Sequence, residues 1–162
     1  MIIASELAGF FAAHAIWCVS ESESFIPMLA YTTEDGKREM MRLALDDVKA
    51  AIELGKKRLE ENDISYDDAV LLYDGRISHS SEKLDALIME LRCEAFRGAR
   101  ATLAVPYTPK SKGAFLVHKP KLIEWENSDD FDMDAALEAF WRGVASHEKG
   151  SKIWNDCLDE SK

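Results

Sequence analysis

The sequence predicts an α+β protein, in which a mainly antiparallel sheet of about six strands has helices packed on one face. Three segments carry apolar residues at helical spacing, which indicates helices. Between them, shorter segments alternate apolar and polar residues and are joined by turn-forming residues, which is typical of β-hairpins. Because hairpins pair consecutive strands in opposite directions, the predicted order is α-β-β-α-β-β-β-β-α within a single domain, residues 1–162.

The first predicted helix is capped by Ser5 and contains the segment ELAGFFAAHAIWC, whose apolar residues lie on nearly every face, so we expect it to be buried. The apolar stretch from Leu7 to Val19 is shorter than the roughly twenty residues of a membrane span, and no basic residues open it as in a secretory signal. His14 and Cys18 have the i, i+4 spacing of two metal ligands on one helical face. A histidine hydrogen-bonded within the core is the simpler interpretation.

The segment SFIPMLAYTTEDGKREMMRL predicts a β-hairpin, because Asp35-Gly36 supplies the two positive-φ residues of a two-residue turn. Such a turn pairs Ala30 with Met41 on the core face of the hairpin. The opposite face is only partly polar and contains Leu29, Tyr31, Arg38, Met40 and Arg42. We expect this face to be covered by another element or to be available to a partner.

Two further helices are predicted. Residues 46–61 carry an apolar stripe with charged residues opposite, and Gly55 in that stripe would allow close approach to a sheet. The segment DMDAALEAFWRGVASHEKG predicts a helix that Asp132 caps and Gly150 ends, with Met133, Leu137, Phe140 and Val144 on one face. One or two further turns are predicted for SKIWNDCL.

The segment ALIMELRCEAF fits both a helix and a strand, since its apolar residues match either spacing. We favour a strand over residues 86–96, because alternation is unbroken from Leu87 to Ala95 and the turn-like sequence Arg97-Gly98-Ala99 follows. The neighbouring segments AVLLYDGRI, ARATLAVPY and GAFLVHKPKLIEWE supply the other strands of a meander.

One pair of carboxylates suggests a metal site. If residues 78–84 form the loop of the hairpin, antiparallel counting places Asp74 and Glu90 diagonally on one face. With Arg92, the pattern resembles the spaced D…ExK motif of restriction-endonuclease-like enzymes, with arginine where that family has lysine. The resemblance implies a metal-dependent hydrolase or nuclease, in which the two carboxylates hold the metal and the cation steadies the scissile phosphate. A solvated strand face, with Arg76 and Arg92 as neutralising neighbours, is the competing interpretation.

The charge of the chain points to a different class of partner. Thirty acidic residues against twenty lysines and arginines give a net charge of −10. This charge repels phosphate backbones and anionic membranes, so neither nucleic acid nor membrane is expected as a partner, and it favours a basic protein surface. Three scattered cysteines, an odd number, fit a reducing compartment, so a cytoplasmic location is expected. The sequence contains no phosphate loop, nucleophile elbow or zinc motif, and neither a cofactor nor a metal is predicted.

The leading hypothesis is a small acidic protein-interaction module, such as an immunity-like inhibitor, antitoxin partner, adaptor or chaperone, that binds a basic protein surface. It is based on the net charge, on the acidic segment ENSDDFDMD and on the partly apolar face of the first hairpin. The residues expected to bind the partner are Tyr31, Asp129, Asp130, Asp132 and Trp154. The metal-dependent enzyme is the alternative, and a homo-oligomer with a structural role is a third interpretation.

Overall fold

The computed structural model describes residues 1–22, 24–95, 98–127 and 132–162, and these residues form four helices and seven strands. The elements, in chain order, are α1 (Ile2–Glu21), β1 (Met28–Thr32), β2 (Arg38–Arg42), α2 (Val48–Glu61), β3 (Asp68–His79), β4 (Glu82–Cys93), β5 (Arg100–Thr108), a 3₁₀ turn (Lys110–Lys112), β6 (Leu116–Val117), β7 (Lys121–Glu126), α3 (Met133–Ser146) and α4 (Glu148–Cys157). The predicted α+β class and order of elements are therefore confirmed.

All the strands pair in antiparallel fashion, and they lie side by side in the order β2-β1-β3-β4-β5. The outer edge of β5 is shared, because β6 pairs with its end and β7 with its beginning. The segment that fitted both helix and strand is extended in β4, which pairs with β3 from Glu82 to Cys93 and with β5 on its other side. The prediction of a strand there is confirmed through Cys93.

The two faces of the sheet are covered by different helices. Val70 and Leu72 of β3 pack in one apolar core with α1, α3 and α4, and we call this the inner face. Leu71 and Leu29 point to the outer face, where they pack with Leu59 of α2. The helices were expected on one face only, whereas α2 packs on the opposite face from the other three. The central strands are apolar on both faces, so both faces need cover.

Helices α1, α3 and α4 pack with their backbones in contact. Glycines make this possible, since an added Cβ would overlap a backbone carbonyl of the facing helix in each case. The pairs are Gly9 with Phe140, Gly143 with Glu6, and Gly150 with Ala13. Small residues at these crossings therefore set the distance between the three helices.

Helix α1 is longer than the apolar stretch from Leu7 to Val19. It spans Ile2–Glu21 and is apolar and long enough, by length and composition, to cross a membrane. However, 61% of its apolar window is buried within this fold, as in the core helix of a soluble protein. The helix gives no evidence for or against the cytoplasmic location, which stays a prediction.

The turn of the first hairpin is one residue longer than predicted. Gly36, at φ 78°, donates its backbone N–H to the carbonyl of Thr33, and the N–H of Thr33 donates to the carbonyl of Lys37. These bonds close a three-residue loop that ends on a left-handed glycine. As a result Ala30 pairs with Met40 and not with Met41, and the faces of β2 are exchanged relative to the prediction.

Candidate functional site

Asp74 and Glu90 lie on opposite faces of the sheet, so they do not form the predicted carboxylate pair. The hairpin between β3 and β4 closes through only two residues, Ser80 and Ser81, both with positive φ. Asp74 therefore pairs with Leu87 on the inner face, whereas Glu90 pairs with Leu71 on the outer face. The longer loop assumed in the prediction shifted the register by one residue, which reverses the side of every residue in one strand.

Asp74 has a structural partner on the inner face. The hydroxyl of Tyr107 donates a hydrogen bond to Asp74 Oδ1 at 2.8 Å. Burial raises the pKa of the Asp74 carboxyl, and the hydrogen bond from Tyr107 opposes this shift. Nearby Asp85 forms ion pairs with Lys112 and Arg76. The carboxylates at this end of the hairpin therefore bind neighbouring side chains.

Glu90 and Arg92 line a polar cleft of about 320 Å³ on the outer face, beside β7. Glu90 accepts a hydrogen bond from the Tyr73 hydroxyl at 2.8 Å and forms an ion pair with Lys56 of α2 at 3.6 Å. Arg92 contacts Glu60 of α2 at 3.1 Å. These contacts tie α2 to the sheet, which gives both predicted residues a structural role.

Metal binding finds no support in this arrangement. Among the residues that the structure describes, no group of three or more His, Cys, Asp or Glu side chains is arranged to hold a metal ion. Glu90 already forms ion pairs with two side chains of the protein, Lys56 and Arg92. The geometry expected of the metal-dependent hydrolase is therefore not formed by Asp74, Glu90 and Arg92.

The residues predicted to bind a partner are dispersed. Trp154 is completely buried, with its ring edge-on to Phe140, so it is a core residue and cannot reach a partner. Tyr31 is half-buried and packs against the cluster under α2. Asp132 caps α3, accepting a hydrogen bond from the N–H of Ala135 at 2.9 Å. Asp129 and Asp130 lie outside the described residues.

A concave apolar surface lies next to the cap of α3. We call it the apolar groove. It is a cavity of about 180 Å³ between α3 and strands β5 and β7, and its lining includes Leu103, Leu122, Trp125, Met133, Leu137 and Phe140. Leu122, Met133 and Leu137 are exposed by 39%, 47% and 48%. Large apolar side chains around a concavity are the usual mark of an interaction site.

Two exposed acidic side chains of α3 lie next to groove residues in the sequence, and we call them the acidic rim. Asp134 and Glu138 follow Met133 and Leu137 in the sequence, are exposed, and form no ion pair with any described residue. The cation within the lining is Lys121. The rim therefore carries an excess of negative charge, in keeping with the net charge of the chain.

The apolar groove was not predicted from the sequence, because Met133 and Leu137 were expected on the core face of the last helix. Their stripe does face inward, at Phe140 and Val144, which are buried. Met133 and Leu137, nearer the start of α3, are left half exposed by the described residues. An apolar stripe that continues to the first residue of a helix is the one signal that could have suggested an exposed apolar surface.

Comparison with protein-family models, curated proteins and solved structures gives no match to this chain. Its function therefore has to be inferred from its own surface. Two features of that surface are the apolar groove with its acidic rim and the polar cleft of the outer face, and the side chains of the polar cleft already form internal ion pairs.

Proposed function

We propose that the protein is a protein-binding module, and that the apolar groove receives an apolar side chain from a basic segment of its partner. The single observation that supports this most is the combination of three half-exposed apolar side chains, Leu122, Met133 and Leu137, with two neighbouring carboxylates of α3 that form no ion pair with a described residue. A buried apolar anchor surrounded by a polar rim is the arrangement that dominates binding energy at protein interfaces.

The size of the groove supports a single side chain as the anchor. Its volume of about 180 Å³ is comparable with a cavity of about 150 Å³ that is known to hold benzene. Burying one leucine or phenylalanine side chain contributes about 1.5–3 kcal/mol. Such an anchor would fill the groove and cover Met133 and Leu137.

The charge of the rim supports a basic partner. Asp134 and Glu138 are exposed carboxylates, and charges at an interface rim act mainly on the association rate and its salt dependence. A partner with lysine or arginine beside its apolar anchor would be attracted by the rim and by the net charge of −10. An immunity-like inhibitor, an antitoxin partner, an adaptor or a chaperone would use such a surface.

The test is affinity capture from the source organism at low and high salt, with matched variants. Leu137→Asp places a charge in the groove, and Leu45→Asp makes the same change at a leucine that is equally exposed, at 47%, outside the groove. We expect a stoichiometric partner that is retained by wild type and Leu45→Asp and is lost with Leu137→Asp. Retention by Leu137→Asp would show that the groove is not the binding site.

A second pair of variants tests the rim. The double variant Asp134→Asn, Glu138→Gln should slow association and weaken its dependence on salt, because two rim charges are removed. Asp63→Asn with Asp67→Asn removes the same charge from exposed positions elsewhere and should have a smaller effect. Equal effects of both pairs would contradict a role for the rim.

Light scattering tests whether a second copy of the chain fills the groove. We expect the purified protein to be a monomer. A dimer that is lost in Leu137→Asp would identify the second copy as the occupant and contradict a different partner.

A further inference from the structure

A second cleft opens between the C-terminal half of α1 and the hairpin of β1 and β2, away from the apolar groove. We call it the α1–β2 cleft. Its volume is about 540 Å³, and its lining includes His14, Cys18, Phe25, Met28, Met40 and Arg42. Glu21, Ser22, Ser24 and Ile26 complete the lining, so the cleft combines one cation, one imidazole and one carboxylate with an apolar wall on one side.

Arg42 is the cation of this cleft. Its guanidinium forms no hydrogen bond or ion pair with any residue that the structure describes. Arg38, four residues earlier on the same face of β2, pairs with Glu6 at 3.5 Å and lies over the ring of Phe10. The three-residue turn of the hairpin places Arg42 opposite Met28, on the side of α1. Arg38 is thus used within the fold, whereas Arg42 has no partner among the residues that the structure describes.

The hydrogen bonds of two histidines identify the ring nitrogen that His14 offers. Nδ1 of His147 caps α4 by accepting the backbone N–H of Gly150 at 2.9 Å, so this nitrogen carries no proton. In the neutral ring the proton is then on Nε2, which lies 3.2 Å from Nδ1 of His14 and donates to it. His14 accepts at Nδ1, and its own proton therefore sits on Nε2. His14 lines the cleft, and this N–H has no hydrogen-bond partner among the described residues.

Both histidines are neutral at neutral pH in this arrangement. Burial lowers the pKa of His14, and electrostatic repulsion from His147 and Arg42 lowers it further. Burial also lowers the pKa of His147, to which Lys149 of α4 adds a smaller effect in the same direction. A neutral His14 keeps the acceptor at Nδ1 and the donor at Nε2.

The rest of the lining suits an apolar body. Phe25 and Met28 are buried, and burial raises the pKa of the Cys18 thiol, so that it is uncharged at neutral pH. The carboxylate that also lines the cleft, Glu21, accepts a hydrogen bond from the indole of Trp17 at 3.0 Å. An anionic group at Arg42 would thus be next to a wall of sulfur and aromatic side chains.

We propose that the α1–β2 cleft binds a small organic carboxylate, with its carboxylate on Arg42 and the Nε2–H of His14 and its apolar chain against Phe25, Met28 and Met40. An arginine with a second N–H donor is a favourable site for a carboxylate. The chain length of the ligand matters, because an apolar wall rewards each methylene that it covers. This site is independent of the proposed protein-binding groove.

The test is calorimetric titration of the full chain with hexanoate, acetate and hexylammonium. Hexanoate should saturate one site, with a Kd about tenfold or more below that of acetate, because four more methylenes contact the wall. Hexylammonium, which has the same chain and the opposite charge, should not bind. No saturable binding of hexanoate, or equal binding of hexylammonium, would overturn the proposal.

Matched variants locate the carboxylate. Arg42→Gln should raise the Kd of hexanoate about tenfold, while Arg38→Gln, four residues away and already paired with Glu6, should leave it unchanged. Both arginines lie on the exposed edge strand, so both variants should fold. Equal weakening by the two variants would reduce the effect to general electrostatics and refute the site. Leu137→Asp should bind hexanoate like wild type, so failure of the protein-binding groove and failure of this cleft can be told apart.

Discussion

Replacing Gly143 with alanine should destabilise the protein, although alanine is the better helix former. A Cβ at this position would overlap the carbonyl oxygen of Glu6 and lie 2.7 Å from the backbone nitrogen of Phe10, well inside the 3.4 Å at which ordinary contact begins. Both are backbone atoms of α1, so no side chain can rotate away. The helices must move apart, and the contacts on either side of the crossing are lost with them.

The expected magnitude follows from two opposing contributions. Helix propensity favours alanine over glycine by about 1 kcal/mol. Forcing extra atoms into a packed contact costs about 1–3 kcal/mol and more where backbone has to shift. The contact with two backbone atoms puts the cost at the upper end of this range, so after the gain in helix propensity we expect Gly143→Ala to lower the free energy of unfolding by about 2 kcal/mol, which is roughly a 4–8 °C fall in Tm for a domain of this size.

Gly55 of α2 provides the matched control, since it is also a helical glycine facing a packed surface. There an added Cβ would meet the ends of the Leu71 and Leu43 side chains, the latter at 2.9 Å, and these can rotate. Gly55→Ala should therefore stay within about 1 kcal/mol of wild type. Urea denaturation of both variants is the assay. If Gly143→Ala proves as stable as Gly55→Ala, the backbone contact between α1 and α3 does not set the helix spacing.

Three further predictions concern pH, the core and a turn. Because the pKa of His147 is lowered in the folded protein, the unfolded chain binds more protons below about pH 6.5, so stability should be full above that pH and fall as the pH decreases. Asparagine can still cap α4, so His147→Asn should reduce the decrease in the free energy of unfolding between neutral and mildly acidic pH, measured by denaturation. An unchanged pH dependence would exclude His147 as its source. Trp154→Phe should cost about 1–3 kcal/mol in the free energy of unfolding while leaving partner capture by the folded protein intact, and a loss of capture at full stability would restore Trp154 as a binding residue. Changing Ser80-Ser81 to Asn-Gly should raise Tm by about 2–4 °C in calorimetry, since both positions have positive φ, and a lower Tm would argue against the two-residue turn.

The identity of each element could be predicted from local pattern, but the alignment of strands could not. The alternation from Leu87 onward was long enough to predict β4, and the cap at Asp132 correctly marked the start of α3. The turns were harder. Asp35-Gly36 is compatible with loops of two or three residues, and Ser80-Ser81 carries no glycine or asparagine to mark a tight turn. An error of one residue in either loop exchanges the faces of a strand.

The candidate sites depended on these alignments. The predicted meeting of Asp74 and Glu90 failed because the tight turn placed them on opposite faces. The same kind of shift placed Arg42 beside α1, where no sequence pattern pointed to a cleft. The sequence also could not decide whether an apolar residue belongs to the core or is exposed to a partner. Trp154 and Leu137 both lie in predicted helical segments, yet Trp154 is fully buried and Leu137 is half exposed.

The sequence by itself determined which segments are helices and strands and that the protein carries a strong negative charge, because these properties depend on residues within a few positions of one another or on composition. Only the tertiary structure decided which faces meet. The apolar groove joins α3 to β7, and the α1–β2 cleft joins α1 to an edge strand. Such contacts depend on turn length and on glycine-spaced helix crossings, whose consequences appear only when distant segments pack together.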